Sequence, residues 1–367
     1  MRPHTRALVV LALVATLASH ASAQSFPLKT NLSKALVPLE HLQPGGPPPD
    51  GIPPIDRPKF VRVADADRWL KGREPVMAFE SQGVARAYPL QVMTWHEIVN
   101  DVVGDLPIVA TFCPLCNTAI VFDRRVDGDV LDFGTSGMLY NSDLVMYDRK
   151  THSLWIQMTG EAVVGDLIGK RLTVLPAAVV AWEEWKTAHP GGQVLSRDTG
   201  HSRPYGRNPY VGYDRVDQPP FLFREALDGR LPPMERVVAI SLHGQEKAYP
   251  FPALRQAGVI HDRLGGRELV VFFRPGTASA LDQASIADSK DVGATGVFVP
   301  EVEGRSLRFR VQDGQIVDRE TGSRWNLLGH AVTGPLTGKR LPRILHVDTF
   351  WFAWGAFKPR TAIYAGP

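Results

Sequence analysis

The chain has 367 residues, 44% hydrophobic and 22% charged, with a formal net charge of +3. That apolar content excludes a disordered chain, and a near-balanced charge without a long basic run excludes a nucleic-acid-binding face. Length points to about two domains, while 33 Gly and 30 Pro favour short strands and turns over a helical bundle.

Arg2 and Arg6, an apolar stretch over 7–18 and Ala21-Ser22-Ala23 follow the order of a cleaved signal peptide, residues 1–23. The expected mature chain starts at Gln24 and is exported, to the periplasm or beyond. No Cys follows the cleavage site to take a lipid, and no later apolar run is long enough to span a bilayer. Residues 24–58 form a Pro- and Gly-rich N-terminal segment, either a linker or, through Ile52 and Ile55, a strap along a domain surface.

An internal repeat organises the rest. Ala87-Tyr88-Pro89 recurs as Ala248-Tyr249-Pro250, and Phe112-Cys113-Pro114 aligns with Phe273-Arg274-Pro275 at the same offset of 161. Asp148-Arg149 and Trp155 recur as Asp318-Arg319 and Trp325, and Trp182 and Trp185 as Trp351 and Trp354. We expect two diverged tandem copies of one strand-rich α+β domain, residues 59–195 and 235–367, joined by an inserted connecting segment, 196–234.

Within the first copy, residues 76–79 and 85–88 flank Gln82-Gly83 as a hairpin. Pro89 starts a helix expected over 90–100, and 108–112 is a short apolar strand. Residues 119–123, 130–133, 144–147 and 154–157 are further strands, and 174–189 has helical spacing that stops at Pro190-Gly191-Gly192.

Cys113-Pro114-Leu115-Cys116 carries the strongest chemical signal. The β-prone run 117–122 after it disfavours a thioredoxin-like motif, whose second Cys enters a helix. Asn117 in place of His excludes covalent haem. Two thiols on one knuckle can instead share a soft metal, copper or zinc, with His96 as the expected third ligand. In a helix over 90–100, His96 would share a face with Val92, Met93, Val99 and Asn100 and look towards the Cys strand. Met138, Met146 and Met158 are further thioether donors or simply core. A redox-active or structural disulfide between Cys113 and Cys116 is the other reading that export permits. At the matched offsets the second copy has Arg274, Thr277 and Ala257, so the first copy holds every soft donor. Asn141-Ser142-Asp143 and Tyr147-Asp148 could line the same site, but Asp143 and Asp148 match Asp313 and Asp318 and are read as shared turn residues. The insertion offers Tyr205, Asn208 and Tyr210 as substrate-binding side chains. No nucleotide-binding or hydrolase motif is present, so no nucleotide cofactor is expected and no motif assigns a reaction.

The runs Thr111–Asn117 and Asn141–Asp148, the segment Ser196-Arg197-Asp198-Thr199-Gly200 with Arg203-Pro204-Tyr205-Gly206, and Gly45 to Pro58 resemble the prokaryotic domain-of-unknown-function family 3179. The resemblance spans nearly all of the mature chain and implies no activity. Two readings therefore stand. One is an exported protein with a single soft-metal or thiol redox centre, serving a small molecule or a periplasmic partner. The other is a non-catalytic binding module or scaffold with a structural disulfide.

Overall fold

The structure is a computed structural model in which residues 28–366 are described, so the expected signal peptide lies outside the described residues. It is a strand-rich α+β fold: helices among the described residues run to seven residues at most, and strands reach eight. Pro75–Ser81 pairs with Val84–Pro89 across Gln82 and Gly83, both at positive φ. That is the two-residue turn whose twist matches paired strands.

Two expected helices are shorter than their apolar spacing implied. The first spans only Leu90–His96, because Glu97 turns left-handed at φ 59° and returns its N–H to the Met93 carbonyl at 2.7 Å. Ile98–Val103, which opens on two β-branched residues, is then a strand paired with Leu106–Cys113. The second helix is confined to Trp182–Ala188. Pro176 separates the strands Thr173–Leu175 and Ala177–Ala181, whose backbones are claimed by neighbouring sheets. The strand expected over 130–133 begins instead at Phe133 and continues to Tyr140.

One four-stranded sheet runs Thr173–Leu175, Thr118–Asp123, Leu106–Cys113, Ile98–Val103, and the Cys-x-x-Cys knuckle closes its central hairpin. A five-stranded sheet holds the hairpin Phe133–Tyr140 and Asp143–Asp148. The Pro/Gly-rich segment packs as a strap. Leu42–Pro44 pairs with Phe133–Tyr140, Ile55 is buried beside Val99, and Arg149 clamps Asp50 and Asp56 at 3.0 and 3.1 Å. Residues 196–234 form no helix or strand but are held by backbone bonds such as Asn208 N–H to Ala284 O and Gly212 N–H to Asp282 O.

The second half runs through the same succession: hairpin Arg236–Leu242 and Gln245–Pro250, helix Phe251–Ala257, strands Val259–Leu264 and Arg267–Arg274. Matched polar pairs accompany it. Tyr88 donates to Asp101 at 2.7 Å and Tyr249 to Asp262 at 2.9 Å. Trp155 Nε1 donates to Asp148 at 3.0 Å and Trp325 Nε1 to Asp318 at 2.9 Å, each Asp also accepting from a Thr three residues on. The halves cross reciprocally: Ala177–Ala181 packs on Ala294–Phe298, while Val347–Phe350 packs on Thr118–Asp123. Trp182 and Trp185 share one apolar cluster with Phe272 and Trp325, so the two halves bury a common core.

Candidate metal centre

The knuckle forms because Cys113 and Thr118 are the last paired residues of their hairpin. Asn117 takes the left-handed conformation at φ 55°, and its N–H closes the turn onto the Pro114 carbonyl at 3.2 Å. Asn tolerates that backbone better than most residues. Both sulfurs therefore face one point. They are separate, buried thiols about 3.6 Å apart. Two thiolates sharing one zinc at about 2.3 Å stand about 3.7 Å apart across a tetrahedral edge. A disulfide would need about 2.05 Å.

The third side chain that converges with the two thiols is that of Asp143, and His96 is not among the three. Sγ of Cys113, Sγ of Cys116 and a carboxylate oxygen of Asp143 lie within 4.8 Å of one another. Asp143 follows the turn Asn141-Ser142, both residues left-handed, and opens the strand that lies beside the knuckle. The same turn brings the Ser142 carbonyl within 3.5 Å of the Cys116 thiol. Asp143 Oδ2 accepts the Met158 N–H at 2.8 Å, whereas the buried Oδ1 has no N–H or O–H partner. Burial pushes the Asp143 carboxyl up to about 7, against the pull of the Met158 N–H and the thiols. Burial likewise raises both thiols above their ordinary range.

Glu97 completes the surroundings. It is buried on the left-handed corner between helix and strand, and burial pushes its carboxyl up to about 8, with Asp143 adding like-charge repulsion. Tyr210 donates to Glu97 Oε1 at 3.3 Å. Among the described residues, no Lys, Arg or His forms an ion pair with Glu97 or Asp143. Four acidic groups thus converge without a cation of the protein's own. Such a group must stay protonated or bind a positive ion.

His96 stands outside the three-donor group. Its Nδ1 lies 2.6 Å from the Pro53 carbonyl and its Nε2 2.6 Å from the Tyr205 hydroxyl, and burial lowers its pKa to about 4. The expected helical face is absent because Val99 and Asn100 belong to a strand, and the ring fastens the strap to the insertion. Of the insertion residues, Tyr205 serves that fastening, and Asn208 is buried with its side chain on the Gln283 carbonyl and the Tyr210 N–H. Tyr210 is the one that reaches the site. Met158 contributes its backbone N–H to Asp143.

Sequence reasoning set Asp143 aside because Asp313 aligns with it, yet the two differ in place. Gln312 pairs with Gln315, so Asp313 sits exposed in the turn of a shorter hairpin, whereas Asp143 is inside the ladder opposite Tyr140. Glu97 was passed over entirely, although a signal existed: at the offset of 161 it faces Gly258. Gly258 ends its helix at φ 67° and ψ −38°, close to Glu97 at 59° and −31°. Glycine accepts that backbone freely and glutamate does not.

The chain belongs to the family described as Protein of unknown function (DUF3179), whose model matches residues 49–361. No curated protein and no solved structure matches it. No helix among the described residues is long and apolar enough to cross a membrane.

Proposed function

We propose that this chain is an exported protein that binds one zinc ion through the Cys113 and Cys116 thiolates and the Asp143 carboxylate. The carrying observation is the convergence of three buried donors, one with an unpartnered oxygen, where no basic side chain balances their charge. Copper and zinc both suit thiolates, but cuprous copper favours an all-soft set, whereas zinc accepts sulfur and carboxylate oxygen together. Three protein ligands leave a fourth position for an exchangeable molecule, the pattern of catalytic rather than structural zinc.

The repeated element order and the matched Tyr–Asp and Trp–Asp pairs support two diverged copies of one domain, of which only the first retains the centre. The order of charge, apolar run and small residues over 1–23 supports export. Metal analysis of protein purified without added chelator tests the centre. The expected result is one zinc per chain, lost in Cys113→Ser with Cys116→Ser and reduced in Asp143→Asn. Cobalt exchanged into the site should show intense sulfur-to-metal charge-transfer absorption. Metal-free protein whose two thiols oxidise reversibly to a disulfide, and which takes up neither ion, would overturn zinc in favour of thiol redox chemistry.

A further inference from the structure

Beside the centre lies a cavity of about 130 Å³ whose wall includes Glu97, Leu115 of the knuckle, Leu144 next to Asp143, Met138, Tyr210 and Ile52 of the strap. No Lys, Arg or His lines it, and Glu97 supplies its only carboxyl. Leu115, Tyr210 and Phe221 also line a neighbouring cavity of about 280 Å³, so these three side chains stand between the two. Phe221, at 48% exposure, is the most exposed of the three.

The backbone at Glu97 adds a separate observation. A non-glycine residue occupies a left-handed corner where the equivalent corner of the other half has Gly258. Strained backbone of this kind persists where the side chain has a task, and clusters at ligand sites. This side chain lines the cavity beside the thiols.

We propose that the 130 Å³ cavity is a binding site for a small uncharged organic molecule bearing one oxygen, a ketone or an alcohol, held by Glu97 and Tyr210. As the substrate site of the zinc centre it rests on the reading above. An apolar cavity of about 150 Å³ accommodates benzene, which sets the upper size. The apolar wall and the Glu97 carboxyl disfavour a carboxylate or phosphate, since the lining offers no Lys, Arg or His to pair with it. The carboxyl and phenol supply a hydrogen bond to oxygen at one end, as small-molecule sites generally do.

Ligand-observed saturation-transfer NMR with cyclopentanone and cyclopentanol, run on zinc-assayed protein, tests this. Both should bind, while cyclopentanecarboxylate and cyclopentylammonium should not. Ile52→Trp, which fills the cavity, should cut the ketone signal at least fivefold. Glu97→Gly should do the same while keeping the fold, since Gly258 shows that glycine suits this corner. A ketone signal unchanged in both variants, or equal binding of the charged analogues, would overturn the proposal. Zinc present without ketone binding removes the cavity proposal and leaves the centre. Ketone binding without zinc removes the centre and leaves the cavity.

Discussion

Glu97 and Asp143 make the centre sensitive to pH in two opposed ways. Their folded pKa values, about 8 and about 7, stand above those of an unfolded carboxyl. Both contribute stability that is full below about pH 4 and drains away as pH rises towards 7 to 8, because over that range the unfolded carboxyls ionise while the buried ones keep their protons. Metal-free protein should therefore lose stability across that window, with Glu97→Gln and Asp143→Asn flattening the loss in urea titrations. Zinc affinity should rise over the same window, since its ligands must be deprotonated. Parallel slopes in the metal-free and zinc-loaded proteins would contradict this. Glu97→Gly, which relieves backbone strain and removes a buried acid, should raise the midpoint of thermal unfolding; a fall would show that the corner is not strained. An unstrained substitution at a left-handed position is worth about 1 kcal/mol.

At the scale of elements, alternation and turn chemistry were legible and helix length was not. Gln82-Gly83 announced its hairpin, and Cys113-Pro114-Leu115-Cys116 its knuckle. The helices were overdrawn because β-branched pairs such as Ile98-Val99 and Val179-Val180 fit a helical spacing until sheet partners claim their backbones. Asp143 was hidden for a related reason: the strand Asp143–Asp148 starts two residues earlier than its counterpart Gln315–Asp318, which moves an aligned Asp from an exposed turn into the ladder. The Asp–Thr–Trp turn, by contrast, was legible as shared structure. Trp155→Phe and Trp325→Phe each strip an N–H from a buried carboxylate, and each should cost about 1–3 kcal/mol by chemical denaturation. Zinc content should be unchanged in both; loss in the Trp325 variant alone would tie that turn to the centre.

For the whole molecule, the second half supports the centre without supplying a donor. Thr349 Oγ1 and the Phe350 N–H both donate to the Cys116 carbonyl at 3.0 Å, fixing the knuckle from 233 residues away. Such supporting bonds typically change metal affinity 10- to 100-fold. Thr349→Val should weaken zinc about tenfold in competition with a chromophoric chelator while leaving one zinc per chain at saturation; unchanged affinity would make the contact merely a packing detail. Arg274, the counterpart of Cys113 in the aligned sequence, makes a part-buried ion pair with Glu184 at 3.0 Å. Arg274→Ala should leave zinc affinity as it is, and a loss there with the fold intact would refute the division of labour between the halves.

The Cys116 tether also sets a timetable. Thiols near residue 113 emerge early in synthesis, but their surroundings are completed by the insertion near residue 210 and by residues 349–350 close to the end. Contacts this distant along the chain close late and slowly. For much of its maturation the chain therefore carries two unprotected thiols, and, on the exported-zinc reading, an oxidising compartment would race the metal for them. On the zinc reading proposed above, loading is then tied to completion of the polypeptide: a chain stalled before residue 349 holds Cys113, Cys116 and Asp143 but lacks the brace on the Cys116 carbonyl.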